Sequence, residues 1–147
     1  MQIVLQRVAA ARVTVDGEEC GAIGAGYALL LGVEKGDDEA KAAWLADKIL
    51  RLRLFAGEGG KINDRSVLEI GGGILVVSQF TLCGSVEGGN RPDYTAAAER
   101  GEAERLYDRF REMLRERGAA TVQGGLFGAH MQLTLTNDGP VTLLLRR

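Results

Sequence analysis

A chain of 147 residues is long enough to bury about two-thirds of its unfolded surface, so one domain spanning 1–147 is expected. Hydrophobic residues at 46% and charged residues at 26% form an ordinary globular balance, which excludes a disordered or coiled-coil chain. The formal net charge of −2 excludes a protein whose affinity comes from neutralising many phosphates, so any nucleic-acid contact should be local and short.

Residues 2 to 15 carry Ile3, Leu5, Val8, Val13 and Val15 in a mostly alternating pattern. The pattern turns at Asp16-Gly17 and resumes to Ile23, which predicts a hairpin. A second turn is expected at Gly24-Ala25-Gly26, followed by the apolar run Tyr27–Val33, which suits a central strand covered on both faces. Asp37 or Asp38 can cap a helix whose Ala42, Leu45, Ile49 and Leu52 share a face, widened by Trp44 and Ala46. After the Gly71-Gly72-Gly73 cluster, Ile74 to Phe80 reads as another buried strand, and Cys83 to Tyr94 as a loop of the length that is often functional. A second helix carries Ala103, Leu106, Tyr107, Phe110, Met113 and Leu114 on one stripe and is closed by Gly118. Ala129, Met131, Leu133 and Leu135 then alternate with polar residues. Asn137-Asp138-Gly139-Pro140 interrupts that run, and Val141 to Leu145 resumes it. The sum is a mixed α/β or α+β domain with about seven strands and two principal helices.

Chemistry is restricted by what is missing from the pattern. Cys20 and Cys83 have no cysteine or histidine at metal-ligand spacing, which argues against zinc and for two free thiols. The opening residues reach a charge at Arg7 and alternate, unlike a signal peptide, and no apolar run approaches the roughly 20 residues of a membrane span. A reducing cytoplasm is the expected setting, with no membrane contact. His130 is the single histidine and falls on the polar phase of a strand, so a Ser/His or Cys/His nucleophile is not indicated. Cys83 has no adjacent cation to lower its pKa. The glycine cluster lacks the spacing and the Lys-Ser/Thr of a phosphate loop.

Two tracts remain. Ser78-Gln79-Phe80-Thr81-Leu82 sets three polar side chains at the mouth of an apolar strand, and Asn137-Asp138-Gly139-Pro140-Val141-Thr142 inserts a Gly-Pro between two strand runs. In this order, the pair resembles the signature of the D-aminoacyl-tRNA deacylases, also known as D-tyrosyl-tRNA deacylases. The resemblance extends over essentially the whole chain, through Gln6-Arg7-Val8, Val13–Gly17, Leu31–Asp37, Gly89-Asn90-Arg91-Pro92, Leu106-Tyr107 and Phe127-Gly128-Ala129 leading to Met131.

The resemblance implies an open barrel-like core of mixed β-sheets with two helices. It also implies a homodimer with active sites at the subunit interface, and no metal or organic cofactor. The substrate would be the 3′ end of an aminoacyl-tRNA, whose D-amino acid ester is hydrolysed. Gly139 and Pro140, joined by a cis peptide, would project their carbonyl oxygens into the neighbouring subunit's pocket. There they would leave room for hydrogen and reject an L side chain, while glycine would pass. Backbone N–H groups around Phe80 and Thr81 would stabilise the oxyanion, and Ser78 and Gln79 would help place the terminal adenosine. Thr81 lacks an evident base, which favours attack by water assisted by the terminal ribose 2′-OH, with Thr81 positioning. Asn137 belongs to the second motif. Arg7 is a candidate brace or phosphate contact, Met131 a candidate wall of the amino-acid pocket, and Arg91 a candidate acceptor-stem contact.

The chain departs from the family's pattern at Val8-Ala9-Ala10-Ala11-Arg12, poorer in polar residues than expected, and at Leu126, a place often charged. Three rival readings stand beside the main one: a related editing domain that removes a wrong L-amino acid, a non-catalytic RNA- or metabolite-binding domain, and a generic esterase. The intact motifs disfavour the first and the absent triad disfavours the last. Stereochemistry of ester loss separates them.

Overall fold

The computed structural model describes residues 1–147. Its framework is strand β1 (Gln2–Val15), which is long enough to hold three partners. Its first half pairs antiparallel with β3 (Gly26–Gly32), its second half pairs with β2 (Glu18–Ile23), and its other edge pairs with β8 (Met131–Arg146). The hairpin turn falls at Asp16-Gly17, with φ of +50° and +85°, the conformation such two-residue turns require.

The expected second turn is instead a bend. Ile23 lies opposite Ala11 and Gly26 opposite Val8, so β2 and β3 follow one another in the same direction along one edge of β1. Glycine is needed there for close approach: a Cβ at Gly26 would sit 1.9 Å from the Gly73 carbonyl oxygen.

Strand β3 is central, as its apolar run predicts. It pairs in parallel with β6 (Gly73–Ser78), which pairs in parallel with β7 (Thr121–Gly124), giving the order β2-β1-β3-β6-β7. The sheet curls until its two edges nearly meet. A Cβ at Gly21 of β2 would lie 3.0 Å from the Gly124 carbonyl oxygen of β7, so this pair of glycines permits the approach. The result is a nearly closed, barrel-like mixed sheet. A two-stranded ribbon of β4 (Arg53–Phe55) and β5 (Arg65–Ser66) lies outside it and raises the strand count above the expected seven.

Helix α1 (Glu39–Arg51) is capped by Asp38, whose carboxylate accepts from the Lys41 N–H at 2.9 Å. Asp37, the other candidate cap, is buried and accepts from the Met1 amino group at 2.7 Å and from the Glu34 N–H at 2.7 Å. Ala42, Leu45, Ala46, Ile49 and Leu50 are buried, but Trp44 is 40% exposed, against the sequence expectation. Two residues of helix turn the side chain about 200° from Ala42, which sends Trp44 outward; its ring lies under Arg147. Helix α2 (Arg100–Glu116) buries Leu106, Tyr107, Phe110, Met113 and Leu114, and Gly118 follows it at φ +102°.

The helices cover one face of the sheet, where Ile3, Leu5, Tyr27, Leu29, Leu31, Ile74 and Val76 form the larger core with them. Alternation sends Ala28, Leu75 and Val77 to the other face, where they join Val8, Ala11, Val13 and Ile23 inside the curl. Leu30, Met131, Leu133 and Leu135 pack against this second core and are only half-buried. The site lies at that margin.

Candidate active site

Strand β6 ends at Ser78, two residues before the sequence pattern implies. The Gln79 N–H still donates to the Leu31 carbonyl at 2.8 Å, but Phe80–Cys83 then close into a 3₁₀ turn. Gly32 makes this possible, because a Cβ there would lie within about 3.1 Å of Leu82, Cys83 and Gln79 at once. The first intra-turn acceptor is the Gln79 carbonyl, bonded by the Leu82 N–H at 3.2 Å. The amides of Phe80 and Thr81 come before that first bonded donor and have no acceptor within the turn. The segment from Gly84 to Tyr94 is not featureless, since Ser85 and Asp93 exchange two backbone hydrogen bonds of 2.8 Å.

Beside the turn opens a cavity of about 460 Å³ with a mostly apolar lining, a size suited to a small ligand. Ser78, Gln79 and Phe80 form one wall, and Met131, Leu133 and the Phe127–His130 segment form another. Met131 reaches it over Gly125, where a Cβ would sit 2.3 Å from the Met131 sulfur. The floor is held by Tyr107, whose hydroxyl donates to the Val76 carbonyl at 2.9 Å and approaches the Gly125 carbonyl at 3.3 Å. Burial pushes the Tyr107 phenol above its ordinary pKa, so it stays a neutral donor.

Thr81 stands beside this cavity rather than in its lining. It is exposed, and its hydroxyl accepts from the Gln79 side-chain amide. The Cys83 thiol is buried and donates to the Val33 carbonyl at 3.4 Å; burial raises its pKa, with Glu34 and Asp37 adding to the effect, so a thiolate is disfavoured. His130 is exposed at the cavity rim, one residue before β8 rather than within a strand as its pattern implies.

The remaining sequence candidates form a second cluster. Strand β8 is continuous, but its ladder to β1 breaks after Asn137↔Val8 and resumes at Thr142↔Gln6, leaving Asp138–Val141 to bow outward opposite Arg7. The Arg7 guanidinium braces the bow: Nε pairs with the Asp138 carboxylate at 3.0 Å and donates to its carbonyl at 3.2 Å, and Nη1 donates to the Leu54 carbonyl. Asn137 ties the two sides of the bow together, donating to the Thr142 hydroxyl at 3.1 Å and accepting from the Val141 N–H at 3.3 Å. The Gly139–Pro140 peptide is cis, and Gly139 has φ +115°. A Cβ at Gly139 would lie 2.6 Å from Arg7 Nη2.

The structure therefore brings Ser78, Gln79, Phe80 and Met131 to one cavity and gathers Arg7, Asn137, Gly139 and Pro140 at a separate exposed place. Sequence reasoning does not single out Arg100, Tyr107 or Phe127 as site residues. Tyr107 and Ala103 fall on a helical stripe that core packing explains equally well. Arg100 opens α2, where only the tertiary arrangement shows that it borders a cavity.

These features define a nearly closed mixed-sheet barrel with an apolar cavity at the end of its parallel strands, beside a turn whose first two amides have no acceptor within it. Residues 4–146 match the family model described as D-Tyr-tRNA(Tyr) deacylase. A D-aminoacyl-tRNA deacylase of Pelobacter propionicus is 52% identical over 147 residues, 100% of both chains. That of Geobacter sulfurreducens is 54% identical over 145 residues, 99% of this chain and 94% of that one. Among solved structures, a c-Myc DNA unwinding element binding protein superposes with a TM-score of 0.94 at 43% identity, covering 100% of this chain and 99% of that one. A probable eukaryotic D-amino acid tRNA deacylase shares the fold, with a TM-score of 0.81 at 19% identity over 98% and 97% of the two chains. The chain belongs to the D-aminoacyl-tRNA deacylase family, a family of ester hydrolases.

Proposed function

We propose that this chain hydrolyses the ester between a D-amino acid and the 3′-terminal adenosine of tRNA, and that it also clears mischarged glycyl-tRNA. The observation that carries the reading is the cavity beside Ser78-Gln79-Phe80, where the Phe80 and Thr81 amides precede the turn's first bonded donor, the Leu82 N–H. Two such donors suit an oxyanion, and each is typically worth about 10²- to 10³-fold in rate. No carboxylate or activated nucleophile lines the cavity, so water is the attacking group, with the terminal ribose 2′-OH assisting its deprotonation. Ser78 and Gln79 place the adenosine, Met131 borders the amino-acid side, and Thr81 positions through its bond to Gln79.

Selectivity falls to the Gly139–Pro140 bow. It lies outside the cavity lining of its own chain, which supports a homodimer in which each copy inserts its bow into the other's cavity. The Gly139 and Pro140 carbonyls then stand beside the substrate Cα, and rejection of an L side chain requires only that its Cβ collide with them. Arg7 fixes the bow rather than touching phosphate, since its guanidinium is already engaged by Asp138 and Leu54. The whole of 1–147 acts as one catalytic domain in translation quality control, in the cytoplasm. No helix is long and apolar enough to cross a membrane.

The test mixes nanomolar protein with D-Tyr-tRNA and, separately, L-Tyr-tRNA, and follows ester loss against spontaneous hydrolysis. Fast loss of the D ester alone is expected. Equal loss of both identifies a relaxed esterase, and loss of neither leaves a binding domain.

A further inference from the structure

The cavity accounts for the terminal nucleoside but leaves three rim features unused. Phe80 lines the cavity yet is 58% exposed, and Tyr94, 37% exposed, meets its ring edge-on with centroids 5.0 Å apart at 68°. Two contiguous exposed rings at a cavity mouth mark a surface that a ligand or partner covers. Tyr94 is held in place by its neighbours. The paired Ser85–Asp93 bonds precede it, the Ala97 N–H donates to its carbonyl at 3.0 Å, and Asp93 accepts from the Thr95 N–H at 2.8 Å. Gly84 keeps space for the ring, because a Cβ there would lie 2.6 Å from a Tyr94 ring carbon.

The third feature is Arg100. It is the one lysine or arginine in the cavity lining, it is exposed, and it forms no ion pair with any carboxylate. Its guanidinium lies across Gly128, where a Cβ would be 2.9 Å from Nη2. An aromatic surface and an unpaired cation at one rim are the two elements that single-stranded RNA binders combine, the first for base faces and the second for backbone phosphate.

We infer that Tyr94, seated on Phe80, is the stacking platform for the nucleotide that precedes the terminal adenosine, and that Arg100 contacts the phosphate leading into the cavity. The inference rests on the deacylase reading for the identity of the RNA. It makes Tyr94 and Arg100 positioning residues. They orient the 3′ end so that the ester meets the Phe80 and Thr81 amides, and a substrate lacking the preceding nucleotide does not engage them. The formal charge of −2 agrees with this design, because one stacked base and one cation suffice for a short contact.

The experiment compares wild type, Tyr94→Ala, Tyr94→Leu, Tyr94→Phe and Arg100→Gln on D-Tyr-tRNA and on the D-tyrosyl ester of adenosine alone. The same proteins are titrated with a fluorescein-labelled single-stranded RNA ending in CCA. Tyr94→Ala and Tyr94→Leu are expected to lower kcat/KM on the tRNA roughly ten- to a hundredfold, the scale of one lost base stack, without changing the rate on the adenosine ester. Tyr94→Phe keeps the ring and behaves as wild type, and Arg100→Gln reduces the salt slope of RNA binding by about 0.7. Equal losses on both substrates, or no loss on either, overturn the inference. Wild-type protein that cleaves neither ester sinks the deacylase reading instead. The titration then decides the platform, with a tenfold loss of RNA affinity in Tyr94→Leu supporting it and unchanged affinity overturning it.

Discussion

Thr81 illustrates how residue identity and residue role separate. A hydroxyl next to a candidate oxyanion site invites assignment as nucleophile, yet here it is exposed, receives a hydrogen bond from Gln79, and has no base among its hydrogen-bond partners. Thr81→Ala should therefore lower kcat on D-Tyr-tRNA by less than about tenfold. Removing a true nucleophile costs about 10⁴-fold or more, so single-turnover kinetics distinguish the two outcomes cleanly. The residues with chemical character in the sequence, Ser78 through Thr81 and Asn137 through Pro140, are legible because polar groups and a Gly-Pro break an otherwise regular strand pattern. Arg100 and Tyr94 carry no such signal. A charge at a helix start and an aromatic in a loop acquire meaning only when the fold sets them beside a cavity.

At the scale of elements, periodicity finds both helices and every long strand, because burial of one face imposes a period of 3.6 or 2 on the sequence. Its errors have a common origin. Hydrophobicity assigns Trp44 inward although its helical phase points out, and it assigns Phe80 to a strand although the chain leaves the sheet after Gln79. Glycine is ambiguous in the same way: Gly24 to Gly26 signals special backbone geometry but not whether the chain reverses or bends. The structure makes a sharp demand at Gly26, whose missing Cβ leaves room for the Gly73 carbonyl. Gly26→Ala should separate β3 from β6 at that point and cost at least about 3 kcal/mol, within the range of severe overpacking, read as a lowered urea midpoint. An unchanged midpoint would show that the parallel pair can part there without loss.

For the whole molecule, the two chain ends and the loop before α1 are joined at one buried point. The Met1 amino group donates to Asp37 at 2.7 Å and to the Arg147 carbonyl at 2.8 Å, and Lys41 reaches the same carboxylate at 2.9 Å. Burial alone would raise the Asp37 pKa, but the Met1 ammonium, the Glu34 amide and Lys41 outweigh it and hold the carboxyl below its ordinary value of 3.8. A depressed folded-state pKa adds stability that is complete above the unfolded value and is lost as the pH falls through the folded one. Unfolding free energy should therefore decline on acidification below about pH 4. Asp37→Asn should be less stable by about 3 kcal/mol at neutral pH and should show a shallower acid limb. Urea titrations from pH 7 to pH 3 check both, and parallel acid limbs would remove Asp37 from the account.

The bow in β8 has one further consequence, for how the chain can change length. From Thr136 to Thr142 the strand advances six residues while its partner advances four, from Ala10 to Gln6. The excess is even, so Leu133 and Leu135 stay opposite Val13 and Ala11, while Leu143 and Leu145 stay opposite Leu5 and Ile3. A single inserted or deleted residue would turn one of these pairs to solvent, because side chains alternate with period two. Viable length variants at this place come in steps of two.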